Sequence, residues 1–275
     1  MSTVFDQMLE RYGNLPKEDL WNAKYEVTQQ IALAGLRRGG FFNKAAFYGG
    51  TCLRIVHGMH RFSEDMDFTL LKEDPTFHLE DYFQAVIDEF KLAGRDVVIT
   101  KKDKMTLGKV ESAFLKDETD VYNLLFQTEK TLKVKIEIDV KPPLEFQTEL
   151  ITLNNPYPFI VRCMTLPCLY AGKMHALAFR NWKTRIKGRD WYDFEWYVRK
   201  GVPLDYNHLR TRINEFNGLD LSKDDFLTLL KERLSTADIE SVKADAVRFV
   251  KDDHELDIWS NDYFLQLADM IKFVP

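Results

Sequence analysis

Residues 45–71 read AAFYGGTCLRIVHGMHRFSEDMDFTLL. The apolar run 45–48 predicts a short strand, Gly49-Gly50 predicts a turn, and the next residues predict a short helix that ends near Gly58. Residues 65–71 then alternate between apolar and polar types, which is typical of a half-buried strand. One face of this strand carries Met66, Phe68 and Leu70, and the other carries Asp65, Asp67 and Thr69. The stretch therefore predicts a strand, a glycine turn, a helix and a strand with an acidic face.

The flanking segments predict a mixed sheet with helices on it. Residues 17–38 carry apolar residues at a helical period and are followed by Gly39-Gly40, which favours an amphipathic helix. Residues 78–93 predict a second helix, and further strands are expected at 96–100, 121–128 and 132–140.

A cluster of turn residues, Asn154-Asn155-Pro156-Tyr157-Pro158, is expected to separate two lobes, residues 1–155 and 156–275. The second lobe should be mainly helical, with helices at about 167–182, 189–200, 222–234, 236–251 and 260–273. The predicted fold class is α+β, in which a mixed sheet flanked by helices packs on a C-terminal helical lobe.

The composition, with 45% hydrophobic and 29% charged residues, is that of a globular protein. Residues 1–10 show neither a basic n-region nor an apolar h-region, and no apolar run approaches the roughly 18 residues that span a bilayer. We therefore expect a cytoplasmic protein with no membrane association. The three cysteines, at positions 52, 163 and 168, lack disulfide or zinc spacing and are expected to be reduced structural thiols.

The charge is uneven along the chain. The net charge is −5 and the pI is about 5.8, yet residues 173–200 hold eight Lys or Arg against three Asp or Glu. This contrast indicates a local phosphate-binding surface. The alternative is a helix face that is merely solvated.

The acidic strand face could hold metal ions. Asp65 and Asp67 project to the same side, and a third carboxylate, Glu137 or Asp139, is offered by the strand at 132–140. Magnesium prefers such hard oxygen ligands, and catalysis of phosphoryl or nucleotidyl transfer rests mainly on positioning and on charge stabilisation. The alternative is that the Asp pair is solvated, although adjacent like charges are unfavourable on a strand.

The order of these features resembles the DNA polymerase β-like nucleotidyltransferase superfamily. The matching residues are Phe47-Tyr48-Gly49-Gly50-Thr51-x-Leu53-Arg54 and Arg61-Phe62-Ser63-x-Asp65-x-Asp67-Phe68. Within the superfamily the chain is most similar to the AbiEii/AbiGii-type toxins, because Lys173 and Arg189-Asp190-Trp191-Tyr192-Asp193 match that family's Lys and Arg-Asp-x-x-Asp motifs. The resemblance covers about residues 41–200.

The resemblance implies a role for each matched residue. Asp65 and Asp67 would bind two Mg²⁺ ions, with Glu137 as the preferred third ligand and Asp139 as its near-equal alternative. Nucleotide binding would involve Gly49, Gly50, Thr51, Arg61, Ser63, Lys173 and Arg189, and the active centre would also include Asp190 and Asp193. For an isolated Arg-Asp-x-x-Asp, the alternative is an Arg189–Asp193 pair within one helix and a solvated Asp190.

By the same resemblance, the protein would be the toxin of a bacterial toxin–antitoxin or abortive-infection pair, a form of phage defence. It would transfer a nucleotide from a magnesium-bound nucleoside triphosphate to an acceptor hydroxyl in a cleft between the lobes and release pyrophosphate. The expected partners are RNA, notably tRNA, as acceptor and a cognate antitoxin. The basic stretch of Arg180, Lys183, Arg185, Lys187 and Arg189 could contact an RNA backbone. The alternatives are nucleotidylation of a protein, kinase-like transfer, and a non-catalytic nucleotide-binding regulator.

Overall fold

The computed structural model describes residues 2–13, 16–101, 119–126, 132–142, 145–180, 186–250 and 252–275. The chain divides into two compact units. The first, called the sheet unit, comprises Met1–Gly58, Ser63–Pro142 and Thr148–Cys163. The second, called the helical unit, comprises Met59–Phe62, Pro143–Gln147 and Met164–Pro275.

Within the described residues, the sheet has seven strands in the order β3-β4-β5-β2-β1-β7-β6. Their bounds are β1 Ala45–Tyr48, β2 Met66–Leu70, β3 Val97–Lys101, β4 Thr119–Phe126, β5 Lys133–Asp139, β6 Thr148–Leu153 and β7 Phe159–Met164. Strand β2 pairs antiparallel with β1 and parallel with β5, so the sheet is mixed. The predicted mixed sheet flanked by helices is confirmed.

The helices of the sheet unit are α1 Val4–Glu10, α2 Lys17–Arg38, α3 Gly49–Ile55 and α4 Phe83–Leu92. Helix α2 has the predicted bounds and buries Ala23, Val27, Ile31 and Ala34, whereas Leu20 remains 39% exposed. Helix α3 begins at Gly49 itself, so the glycines form the first turn of the helix rather than a separate turn before it. Helix α1 was not predicted, although Thr3 and Asp6 form a capping box there.

The cluster 154–158 joins β6 to β7, which are neighbours in the sheet. Neither strand was predicted, and both lie on the N-terminal side of the mainly helical region. Turn residues such as Asn and Pro mark where the chain reverses, but they do not indicate whether the next segment returns to the same sheet. In the contact division, the sheet unit extends to Cys163.

The helical unit contains α5 Leu166–Phe179, α6 Gly188–Lys200, α7 Tyr206–Asn217, α8 Lys223–Ser235, α9 Ile239–Ala246 and α10 Asn261–Asp269. Helix α6 ends at Gly201, which is in the left-handed conformation, and α8 begins after a capping box at Ser222. Helix α7 was not predicted, and α9 is shorter than the expected 236–251. The core of this unit includes the aromatic side chains of α6: Trp191, Tyr192, Phe194 and Tyr197 are buried.

The three cysteines are all free and buried. Among the described residues, no helix combines the length and the apolar character that a membrane span requires.

Candidate active site

Parallel pairing of β2 and β5 brings two of the predicted carboxylates together. Asp67 lies directly across from Glu137, and Thr69 lies across from Asp139. Neighbouring strands are about 4.8 Å apart, and directly paired residues point to the same face of a sheet. The register therefore places Glu137, rather than Asp139, beside Asp67, and both side chains are half-buried.

The backbone of Gly49 makes room for Asp67. Gly49 has a φ of +80°, which non-glycine residues rarely adopt. A Cβ added at this position would lie 2.9 Å from both Cβ and Cγ of Asp67 and would collide with its Oδ2. Position 49 thus requires glycine for two independent reasons, and the Asp67 carboxylate lies against the first turn of α3. The next residue, Gly50, is buried in the same turn.

Two buried side chains hold the loop that leads into β2. The Gln29 side-chain amide on α2 donates to the main-chain oxygens of Ser63, at 2.9 Å, and Glu64, at 3.0 Å. The Thr51 hydroxyl donates to the main-chain oxygen of Asp65. Thr51 was expected to contact a triphosphate, but its side chain is fully buried and its hydroxyl binds the loop. Ser63 is half-buried in this loop.

The charges beside Asp67 include a cation as well as acids. Lys135 forms an ion pair with Glu137 on the same face of β5, and the Asp139 carboxylate accepts a hydrogen bond from the Lys141 amide at 3.1 Å. The carboxylates of Asp65, Asp67 and Glu137 are the hard oxygen donors that Mg²⁺ prefers, and the missing Cβ at Gly49 leaves the room into which the Asp67 carboxylate packs. This donor set fits a magnesium site.

Among the residues that the structure describes, Asp252, Asp253 and His254 form the only group of three His, Cys, Asp or Glu residues whose ligand atoms all lie within 4.8 Å of one another. Asp65, Asp67 and Glu137 are therefore not gathered that closely. The 252–254 group is exposed, and Asp252 also caps a short 3-10 turn by accepting a hydrogen bond from the His254 amide. Exposed acidic groups of this kind are ordinary caps, and we assign no metal to them.

Arg61 belongs to the helical unit and is only 1% exposed. Its Nε and Nη2 donate to the two carboxylate oxygens of Asp193 at 2.5 and 2.6 Å, and its Nη1 donates to the Phe62 oxygen. The resemblance implied that Arg61 binds the nucleotide, whereas in the structure its guanidinium forms a buried bidentate pair with Asp193. Asp193 itself is fully buried.

Asp190 and Lys173 extend this buried network. The Lys173 ammonium lies 2.7 Å from Asp193 Oδ2 and 3.5 Å from Asp190 Oδ1, and Arg180 binds the other oxygen of Asp190. Asp190 is 2% exposed and Lys173 is 17% exposed. The carboxylates of Asp190 and Asp193 are thus held by cations from α5, from its C-terminal end and from the 59–62 segment.

The alternative interpretation of the Arg-Asp-x-x-Asp motif is wrong. Asp193 pairs with Arg61, and the Arg189 guanidinium instead lies over the Phe249 ring, 5.1 Å from its centre. Asp190 is buried rather than solvated. The two carboxylates of the motif are therefore parts of a charge network inside the helical unit.

The charges of this network shift several pKa values. Burial alone would raise the pKa of Asp190, but the positive charges of Arg180 and Lys173 outweigh it and lower that pKa to about 2. Arg61 and Lys173 likewise lower the pKa of Asp193 against the effect of burial. Burial, followed by repulsion from Arg180, lowers the pKa of Lys187 to about 8. Positive charge is in excess around these carboxylates, since Lys187 and Arg189 add to the cations already paired with them.

Sequence reasoning missed two residues of this arrangement. Gln29 lies inside an ordinary amphipathic helix, and no local pattern distinguishes it from a surface amide. Arg180 was noted only as part of a basic stretch, although its charge balances Asp190. Lys183 and Arg185 of that stretch lie outside the described residues.

The chain matches the family described as "Nucleotidyl transferase AbiEii toxin, Type IV TA system" over residues 31–275. Among curated proteins, none matches the chain significantly.

Solved structures share the fold. MenT4, a nucleotidyltransferase toxin from Mycobacterium tuberculosis, is 15% identical with a TM-score of 0.54, over 96% of this chain and 93% of that chain. JHP933 from Helicobacter pylori is 17% identical with a TM-score of 0.50, over 94% and 91%. A candidate nucleotidyltransferase from H. pylori is 18% identical with a TM-score of 0.50, over 93% and 94%. At these identities the likeness shows the fold alone.

Proposed function

Because the chain belongs to the AbiEii family of nucleotidyltransferase toxins of type IV toxin–antitoxin systems, we propose that it transfers a nucleoside monophosphate from a nucleoside triphosphate to an acceptor hydroxyl and releases pyrophosphate. One observation carries the proposal: Asp67 lies across from Glu137 and against the Gly49 backbone, where a side chain would collide with it. An acidic pair beside the first turn of a helix suits the binding of a metal-bound triphosphate.

Asp65, Asp67 and Glu137 would hold the divalent metal, and Asp139 is the alternative third ligand. When bound, Mg²⁺ neutralises charge on the triphosphate and favours the deprotonated acceptor hydroxyl. The chain itself contributes rigid placement of the carboxylates through the β2–β5 register. The main-chain amides of Gly49 and Gly50 are proposed to bind phosphate oxygens, because the first amides of a helix have no partner inside it.

The cations of the helical unit are proposed to bind phosphate groups. Lys173 and Arg189 are the candidates named by the family motif, and Lys187 is a further half-buried cation beside them. Asp190 and Asp193 would act by positioning Lys173, since their oxygens bind Lys173, Arg180 and Arg61. Arg61 is assigned to the same positioning role.

The proposed acceptor is RNA, notably tRNA, and the proposed protein partner is a cognate antitoxin. The excess of positive charge around Lys187 and Arg189 supports RNA, because cations that replace counterions on a phosphate backbone bind it in a salt-dependent way. A titration of tRNA binding with salt tests this point. We expect affinity to fall steeply as salt rises, and a flat response would favour a protein acceptor.

The whole proposal can be tested with labelled nucleotides. The purified chain would be incubated with each nucleoside triphosphate, labelled on either the α- or the γ-phosphate, in the presence of total RNA and total protein. We expect label from the α-phosphate alone, carried by RNA of tRNA size, with release of pyrophosphate. Label from the γ-phosphate alone would show kinase-like transfer, and label in protein would show protein nucleotidylation. The absence of any transfer would favour a non-catalytic nucleotide-binding regulator.

A further inference from the structure

Three successive main-chain oxygens just before β2 are bound by side chains from two different helices. Gln29 on α2 supplies both protons of its side-chain amide, one to Ser63 O and one to Glu64 O. Thr51 on α3 supplies its hydroxyl proton to Asp65 O. The loop that carries Asp65 is thus anchored at each residue from 63 to 65.

Both donors are buried, so it would cost free energy to leave either of them without a hydrogen-bond partner. Gln29 is 1% exposed and Thr51 is fully buried. A buried carboxamide is unfavourable unless its donors are satisfied, and a side-chain NH₂ group offers two donors. Gln29 directs both of them at this loop, so the loop has one arrangement that satisfies the amide. Displacing the loop would leave buried polar groups unpaired.

We propose that Gln29 is a positioning residue, which sets the backbone of residues 63–65 and thereby the direction in which Asp65 and Asp67 present their carboxylates. This inference rests on the proposed function. Gln29 lies just before the part of the chain that matches the family, residues 31–275. The inference therefore comes from the hydrogen bonds alone. A displacement of about 1 Å in a reacting group can cost as much as about 100-fold in rate.

The test measures metal binding directly, with Mn²⁺ in place of Mg²⁺ and electron paramagnetic resonance as the readout. The site is defined as the Mn²⁺ that the wild-type chain binds and Asp67→Asn does not. Gln29→Met keeps the size of the side chain and removes both donors. We expect it to weaken Mn²⁺ binding at this site about 10-fold, the lower end of the effects seen when groups that orient metal ligands are removed.

Val27→Ala is the matched control, because Val27 lies on the same helix and is equally buried but is apolar. It should lower the melting temperature and leave Mn²⁺ affinity unchanged. Equal weakening by both variants, or wild-type affinity in Gln29→Met, would overturn the inference. If wild type and Asp67→Asn bind Mn²⁺ equally, the metal role in the proposed function fails, and this inference fails with it.

Should Gln29→Met not fold, Thr51 provides a second comparison on the same loop. Thr51→Ser keeps the hydroxyl, whereas Thr51→Val keeps the shape and removes it. We expect only Thr51→Val to weaken Mn²⁺ binding. Equal affinities in the two variants would show that anchoring of the loop does not set the metal site.

Discussion

Gly49 and Asp67 constrain each other, because the Asp67 carboxylate occupies the space where any other residue at position 49 would place its Cβ. The φ of +80° adds a second requirement, since residues with a Cβ are strained there by about 1–3 kcal/mol. The glycine is therefore more than a flexible turn residue. It determines how closely the acidic strand approaches the first turn of α3.

Gly49→Ala should reduce nucleotidyl transfer at least about 100-fold, because the added methyl group displaces a carboxylate proposed to bind the metal. Gly58→Ala is the control: its φ is also positive, at +71°, but no described atom lies within 4 Å of an added Cβ. It should be strained to a similar extent and retain activity. If both variants lose activity equally, backbone strain rather than the contact with Asp67 would be responsible.

Arg61 is expected to matter for folding, because its removal leaves the buried Asp193 with Lys173 as its remaining cation. Breaking a buried pair costs about 3–5 kcal/mol. We expect Arg61→Met to lower the free energy of unfolding by about that amount in urea denaturation. Arg210→Met removes a bidentate arginine from the exposed Arg210–Asp220 pair and should have little effect. Similar losses in the two variants would contradict the assigned role of Arg61.

The pairing of β2 with β5 decides between the two candidates for the third carboxylate. Glu137 lies across from Asp67, and Asp139 lies one pair further along, across from Thr69. Glu137→Gln should therefore reduce nucleotidyl transfer at least about 100-fold, whereas Asp139→Asn should change it by less than about 5-fold, because loss of a well-placed charge-stabilising group costs about 2.7–4 kcal/mol. The two variants share one strand and serve as controls for each other. A larger loss of activity in Asp139→Asn than in Glu137→Gln would identify Asp139 as the third carboxylate of the site.

Elements with a strong local pattern were predictable from sequence. Helix α2 has the predicted bounds, and so does β1. Helix α1 and strands β6 and β7 were missed because their patterns are short, so that capping residues and tertiary pairing decide them, and helix α7 was missed although it spans 12 residues. Thr3 for α1 and Asp205 for α7 are such caps. Because strands β6 and β7 were not predicted, the turn cluster between them was interpreted as a lobe boundary.

The candidate site was predictable only in part. Spacing alone indicated that Asp65 and Asp67 share a face, but it left Glu137 and Asp139 equivalent, since strand register depends on residues that are distant in sequence. The pairing of Arg61 with Asp193 joins residues 132 positions apart. No spacing rule connects such residues, so the motif alone indicated nucleotide binding for Arg61. The contact of Gln29 with the loop before β2 could not be predicted either, because it also joins residues that are distant in sequence.

The stability of the protein as a whole should depend on Asp190 in acid. Its folded-state pKa is about 2, below the ordinary value of 3.8, so the unfolded chain binds the proton more readily. The stabilisation, on the order of 2 kcal/mol, is complete above about pH 4 and is lost as the pH falls towards 2. Asp190→Asn should therefore flatten the fall in unfolding free energy between pH 4 and 2, as followed by circular dichroism. An unchanged slope would contradict this role.

The charge distribution of the chain combines a net charge of −5 with cations concentrated near α6. Such a distribution limits nonspecific attraction to nucleic acid and leaves a local surface for phosphate. Together with the carboxylates of β2 and β5 and with membership of the AbiEii family, it supports nucleotide transfer as the activity of this chain.

The central claim is that Asp67 is required for nucleotide transfer. The direct measurement is the rate at which α-labelled nucleoside triphosphate labels RNA, compared between wild type, Asp67→Asn and the exposed-acid control Asp252→Asn, with folding checked by circular dichroism. We predict that Asp67→Asn folds and that its rate is at least about 1,000-fold lower, which corresponds to roughly 4 kcal/mol of transition-state stabilisation. Asp252→Asn should keep the wild-type rate. Wild-type labelling by a folded Asp67→Asn protein would contradict the account.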